Sequence, residues 1–193
     1  LETDIPNSLN KYALSKIDQR VSLKLESMQI TGSFKLRGAL NKLLSLSDKQ
    51  KKRGVIAVST GNHGKGVAYA AKQLGIKSTI FMSDLVPMYR RKAIEKFGAE
   101  VKIVGTNSDE ADHYAKDYAL KNNIELIHPF DDLEIIAGQG TIGLEILEAM
   151  PTVDTVIVPT SGGGLIGGIA IAVKEQKPDI IVFSHTYQTR DWV

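Results

Sequence analysis

Seven short β-rich runs alternate with helical stretches along this chain, and that alternation is what most restricts its fold. The runs lie at 21–25, 55–59, 78–82, 101–104, 124–127, 155–158 and 180–183. Parallel strands can be joined only by a long crossover, usually a helix. The pattern therefore predicts an α/β protein with a parallel sheet covered on both faces. Crossovers in such sheets are right-handed, and ligands bind beyond the carboxyl ends of the strands.

The helical stretches carry their own signals. Leu36, Leu40, Leu43 and Leu44 are spaced to share one face, with Ser33 as the expected N-cap. Val67, Ala68, Ala71 and Leu74 form the packed stripe of the next helix, which Gly75 ends. Pro87 opens a helix with Ile94 and Phe97 inward, and Gly98 closes it. Ser108 or Asp109 is expected to cap a helix running to about 121. A short helical turn after Phe130, a helix over 140–150 and another over 165–174 complete the set.

Of 193 residues, 42% are hydrophobic and 24% charged, the make-up of a globular chain able to bury a core. Net charge is +2, and the basic residues cluster only at Lys49-Gln50-Lys51-Lys52-Arg53. That run reads as the solvated end of a helix, so no nucleic-acid partner is expected. There are no cysteines, which excludes disulfides and thiolate metal sites. No apolar run is long enough to span a membrane, and a cytoplasmic location is the default expectation. The start at Leu1-Glu2-Thr3, with no strand before it, and the close at Asp191-Trp192-Val193, with no terminating helix, read as cut ends.

Three loops near strand-to-helix junctions carry the chemistry. The first is Thr31-Gly32-Ser33-Phe34-Lys35-Leu36-Arg37-Gly38. An amine attacks an aldehyde only when unprotonated, so burial of Lys35 would suit it to hold a cofactor aldehyde. A surface lysine at a helix start is the bland alternative. The second loop is Ser59-Thr60-Gly61-Asn62-His63-Gly64. Backbone N–H groups at a helix N-terminus, with nearby hydroxyl and amide donors, suit a carboxylate. A plain βα turn would use the same residues, and His63 is more often a structural histidine than a base. The third is Ser161-Gly162-Gly163-Gly164-Leu165, whose strand-glycine-helix order suits a phosphate. Gly162, Gly164 and Gly167 also fit a dinucleotide pattern, but the next strand ends without the acidic residue that a ribose needs. A phosphate monoester fits better than a nicotinamide dinucleotide. The four histidines have no metal-ligand spacing, and no metal is assigned.

With these loops in order, the chain resembles the fold-type II pyridoxal-phosphate enzymes of the threonine dehydratase and serine racemase family. Lys24-Leu25-Glu26-Ser27-Met28-Gln29 and the lysine octapeptide match its pattern. So do His128-Pro129-Phe130-Asp131-Asp132, Ile136-Ala137-Gly138-Gln139-Gly140-Thr141 and the other two loops. The resemblance covers nearly the whole chain. Thr60 and Met82-Ser83-Asp84-Leu85-Val86-Pro87 look closer to the dehydratase-like branch linked to ectoine or hydroxyectoine breakdown.

The resemblance implies two three-layer parallel-sheet domains of the tryptophan synthase β-like class. Residues 1–53 and 132–193 would form a larger, incomplete cofactor-binding domain, and 54–131 a smaller inserted one. Pyridoxal 5'-phosphate would be held covalently by Lys35, against Phe34, with Asn62 on its phenolic oxygen. Gly162, Gly163, Gly164 and Leu165 would bind its phosphate. Ser59, Thr60, Gly61 and His63 would surround the carboxylate of a small-molecule amino-acid substrate. Lys35 and Thr60 would be the catalytic pair. A threonine or serine would lose water by α,β-elimination, giving a 2-oxo acid and ammonia, in a homo-oligomer (dimer or tetramer).

Serine racemases carry a serine where this chain has Thr60, so racemase chemistry is the alternative within the family. Cysteine synthases and threonine synthases use a similar lysine but a different asparagine loop. A silent fragment or regulatory module and a nucleotide-binding oxidoreductase are the alternatives of other classes. Two departures accompany the resemblance. Phe183-Ser184-His185 replaces the family's Gly-Val-Glu, and the group that contacts the pyridine nitrogen is expected in a segment not in this sequence.

Overall fold

A computed structural model of the chain describes residues 21–174 and 179–184. The ends of the chain and His185 lie outside the described residues. A four-stranded parallel sheet is formed by β1 (Val55–Val58), β2 (Ser78–Met82), β3 (Glu100–Ile103) and β4 (Glu125–Leu126), in the order β3-β2-β1-β4. Two further strands, β5 (Thr155–Thr160) and β6 (Asp179–Ser184), pair in parallel in a second sheet. The helices are α1 (Lys35–Ser45), α2 (Asp48–Arg53), α3 (Asn62–Gln73), α4 (Met88–Glu95), α5 (Ser108–Asn122), α6 (Leu133–Ala149) and α7 (Gly164–Val173).

Strand side chains alternate between faces, and both faces of the four-stranded sheet are covered. Val55, Ala57, Ile80 and Met82 pack with Leu43, Val67, Ala71 and Ile94 from α1, α3 and α4. On the other face Ile56 and Phe81 pack with Ala115 and Ala119 of α5. A separate cluster of Ile142, Val156, Val158, Ile169 and Val173 lies between α6, α7 and β5.

Two glycine contacts on one helix organise the second half of the chain. A Cβ on Gly138 would lie 2.6 Å from the Gly38 Cα, so α1 crosses α6 at backbone contact. Half a turn further along α6, a Cβ on Gly140 would lie 2.9 Å from the Gly168 carbonyl oxygen of α7. The helix that begins at Lys35 and the helix that follows the glycine loop are thus keyed to the same 133–149 helix.

Several local expectations are corrected. Residues 21–25 form no strand; Val21, Leu23 and Leu25 are exposed and, among the described residues, no neighbouring backbone supplies a ladder. The alternating pattern meets a strand's local needs, but pairing decides whether one forms. Ser33 does not cap α1: its hydroxyl is buried without a partner, and the helix has no side-chain cap. Leu44 is 53% exposed because it sits about 80° around the helix from Leu36, at the edge of the stripe. Asn107, not Ser108 or Asp109, caps α5, accepting from the Asp109 and Glu110 N–H groups. The short turn and the 140–150 helix are one continuous helix, capped by Asp132. Gly138 and Gly140 within it lie at close contacts with neighbouring helices. Lys49 to Arg53 lie on the separate short helix α2, which Ser47 and Gln50 close with reciprocal cap bonds.

Candidate active site

The three loops meet around the segment 127–131, which follows β4. Lys35, the first residue of α1, donates from Nζ to the Pro129 carbonyl at 2.7 Å. Its Nζ also lies 5.2 Å from the centre of the Phe34 ring. Phe34 in turn packs on the Ile142, Val156 and Ile169 cluster. Burial lowers the Lys35 pKa from 10.5 to about 8, since a low-dielectric setting disfavours the charged amine. The bland surface-lysine alternative is therefore not what the fold builds.

The second loop runs from the end of β1 into α3. The Ser59 hydroxyl accepts from the N–H groups of Gly61 at 3.2 Å and Gly64 at 2.9 Å, which shapes the loop. That bonding leaves the Ser59 proton free to donate. Thr60, Gly61 and Asn62 are partly buried at the helix start. Among the described residues none hydrogen-bonds the Thr60 hydroxyl or the Asn62 amide. His63 is buried, with Nε2 at 2.9 Å from the Ile127 carbonyl. A carbonyl only accepts, so Nε2 carries the proton and Nδ1 is left as an acceptor. Burial, with Lys35 and His128 nearby, pushes its pKa down to about 4 despite that hydrogen bond. His63 is thus a neutral ring that ties α3 to the 127–131 segment. Gly66 completes the junction: a Cβ there would lie 3.1 Å from the Lys35 carbonyl carbon, so α3 rests on the Lys35 backbone.

The third loop meets the same segment from the other side. A Cβ on Gly162 would lie 2.4 Å from the Phe130 ring, and one on Gly164 would lie 2.6 Å from the Phe130 carbonyl oxygen. Gly163 has φ +88°, a left-handed conformation that glycine adopts without strain. Helix α7 then starts at Gly164 with no side-chain cap, which leaves its first N–H groups available to an anion. Leu165 stands in that first turn, partly buried.

Sequence reasoning named the three loops but missed what joins them. Pro129 and Phe130 had no assigned role, although a proline beside an aromatic after a strand marks a shaped turn. Gly38 and Gly138 were equally silent, although glycines inside helices signal close packing when tertiary contacts demand it.

A family model described as pyridoxal-phosphate dependent enzyme matches residues 7–188. The chain belongs to the pyridoxal-phosphate dependent enzyme family. It is 52% identical over 160 residues to the catabolic L-threonine dehydratase of Staphylococcus aureus, covering 83% of this chain and 46% of that protein. The chain thus spans about half the length of the curated relatives it matches. Among solved structures, a processed threonine deaminase isoform of Solanum lycopersicum aligns with TM-score 0.80 and 39% identity, over 82% of this chain and 44% of that one. Maize serine racemase aligns with TM-score 0.77 and 38% identity, over 81% of this chain and 48% of that one.

The α/β parallel arrangement expected from the sequence is that of the fold-type II pyridoxal-phosphate enzymes, present here in part. The local chemistry fits the cofactor that gives the family its name. A partly buried amine with its pKa lowered to about 8 stands on one side of the 127–131 segment. On the other, a loop that Cβ atoms would fill opens onto the N–H groups of a helix start. No helix among the described residues is long and apolar enough to cross a membrane.

Proposed function

We propose that the protein is a pyridoxal-phosphate dependent ammonia-lyase that converts threonine or serine to a 2-oxo acid and ammonia. The observation that carries this reading is the Lys35 amine, drawn down to a pKa of about 8 and aimed at Pro129 beside the glycine loop. The named relatives, a threonine dehydratase and a threonine deaminase, support the substrate class.

Pyridoxal phosphate, when bound, supplies an electron sink for the charge left on an amino acid's α-carbon. The residues of this chain do the rest. Lys35 would hold the cofactor through its aldehyde, and its amine would serve as the base for the substrate's α-proton. A pKa near working pH suits that double role. Gly162, Gly163, Gly164 and Leu165 would donate backbone N–H groups to its phosphate, with Phe34 against its ring. The Asn62 amide would donate to its phenolic oxygen. The Ser59 hydroxyl, the Thr60 hydroxyl and the N–H groups of the loop at Gly61 hold the substrate carboxylate. His63 keeps that loop in place from behind, which shifts it from direct contact to support. The β-hydroxyl leaves as water, and one water is regained when the product releases ammonia, so the balance closes on the 2-oxo acid.

Residues 54–131 are proposed as a smaller domain inserted between the two parts, 1–53 and 132–193, of a larger one. In support, all four strands of one sheet fall within 54–131. A cytoplasmic homo-oligomer, dimer or tetramer, is proposed on the same family grounds.

A racemase reading rests on the maize relative. Thr60 keeps the hydroxyl that a second proton transfer would need, in a bulkier side chain. An assay of 2-oxo acid release from threonine, serine and 3-hydroxyaspartate, run beside chiral analysis of residual serine, tests both. Release of 2-oxo acid that is lost in Lys35→Ala supports the lyase. D-serine without 2-oxo acid would sink it.

A further inference from the structure

The first turn of α1 carries Lys35 yet lacks a side-chain cap, since neither Ser33 nor Phe34 bonds its N–H groups. What holds that turn is Arg37. Its Nε and Nη2 donate to the two oxygens of Glu26 at 2.8 and 2.9 Å. Nη2 also donates to Glu145 Oε2 at 2.8 Å, while Nη1 donates to Glu145 Oε1 and to Thr141 Oγ1 at 3.0 Å. All five guanidinium protons are therefore committed, to the 26–28 turn on one side and to α6 on the other. The side chain is 13% exposed, and its hydrogen bonds to Glu145 and Glu26 hold its pKa up, so it is fully charged.

Residues two apart on a helix point about 200° from one another. Arg37 thus grips α6 and the 26–28 turn while Lys35 projects to the other side, toward Pro129. The glycine crossing beside it, Gly38 on Gly138, brings the backbones of α1 and α6 together, and Leu36, Ala39 and Leu43 bury the core face of α1. Lys35 has no such fork of its own: among the described residues its Nζ has a single acceptor, the Pro129 carbonyl.

We propose that Arg37 is the positioning residue for Lys35, fixing the rotation of α1 so that the amine stays buried on the Pro129 carbonyl. This deepens the proposed function, because that reading needs the amine held there. Neither Arg37 nor its carboxylates need touch substrate or cofactor.

The test is competitive trace acetylation of the cofactor-free protein across pH, with the modification of each lysine read by mass spectrometry. Exposed Lys116 serves as internal reference. Arg37→Lys keeps the charge and loses the fork, so it separates position from electrostatics. The expected result is an upward shift of the Lys35 midpoint by about one pH unit, with Lys116 unmoved. A wild-type midpoint in folded R37K overturns the proposal. Should R37K not fold by near-ultraviolet circular dichroism, Glu145→Gln takes its place. Removing that negative charge alone would lower an amine's midpoint, so an upward shift in E145Q supports loosening and an unchanged or lowered one overturns it. Borohydride trapping of pyridoxal phosphate on wild-type Lys35 is run in parallel. Its failure would count against the proposed function and leave the acetylation result readable.

Discussion

The Gly138 Cα and the Gly38 Cα meet with no room for a side chain between their helices. A methyl on Gly138 would fall 2.6 Å from Gly38 Cα and 2.7 Å from the Arg37 carbonyl oxygen. Through this contact the helix that presents Lys35 is seated on the helix that also seats the glycine loop. Gly138→Ala is expected to destabilise the fold by about 2 kcal/mol, the usual cost of forced overpacking. Urea unfolding would measure it. Ala at Gly61, where a Cβ meets nothing within 4 Å, serves as the control.

Lys35 is strained by its own burial. Its pKa of about 8 in the fold lies below the 10.5 of an unfolded lysine. Between those values the unfolded chain binds more protons, so stability rises with pH. Below about 8 the amine is charged in both states and its full cost is present. Lys35→Met should therefore stabilise the chain at pH 7, by at most about 3 kcal/mol. The gain should fade as pH rises from about 8 to 10.5. Thermal melts of both proteins across that range decide it, and a gain independent of pH would contradict the assignment.

His63 should impose an acid slope. Its pKa of about 4 lies below the ordinary 6.5, so the folded state resists the proton that the unfolded state accepts. Stability is full above about 6.5 and is lost as pH falls toward 4. His63→Gln keeps a donor for the Ile127 carbonyl and removes the titration. Its denaturation midpoint should be flatter over that window than that of the wild type. His63→Leu should instead cost about 1–3 kcal/mol at neutral pH, because the Ile127 carbonyl is left without its donor.

Phe130 and Gly162 should be coupled. Gly162→Ala puts a methyl 2.4 Å from the ring and should displace the Phe130 turn, weakening pyridoxal phosphate binding by about tenfold or more. Phe130→Ala removes the ring that the methyl strikes. In the double variant the Gly162→Ala loss should shrink. Equilibrium titration with pyridoxal phosphate, read by absorbance, gives the cycle. Strict additivity would show that the ring is not what the glycine avoids.

Much of the fold was legible because it is local. The runs at 55–59 and 78–82 are apolar on both faces, as strands covered on two sides must be, and they became the centre of the sheet. The run at 21–25 has an equally good local pattern and formed no strand, because pairing is not written in one segment. The site divided in the same way. Lys35, the Ser59-to-Gly64 loop and the glycine run stood out because their residue types suit an aldehyde, a carboxylate and a phosphate. Pro129 contributes only its carbonyl, which every residue has, and Phe130 acts through shape. Neither leaves a chemical signature in the sequence.

The sequence by itself determined the alternation of strands and helices, the three loops and the lysine, since each depends on residue type and short spacing. Only the tertiary structure decided that burial lowers the Lys35 pKa to about 8. It also decided that His63 is a buried ring on the Ile127 carbonyl, and that Gly38, Gly138, Gly140 and Gly168 seat α1 and α7 on α6. Burial and backbone contact between segments about a hundred residues apart arise from packing, which no local pattern encodes.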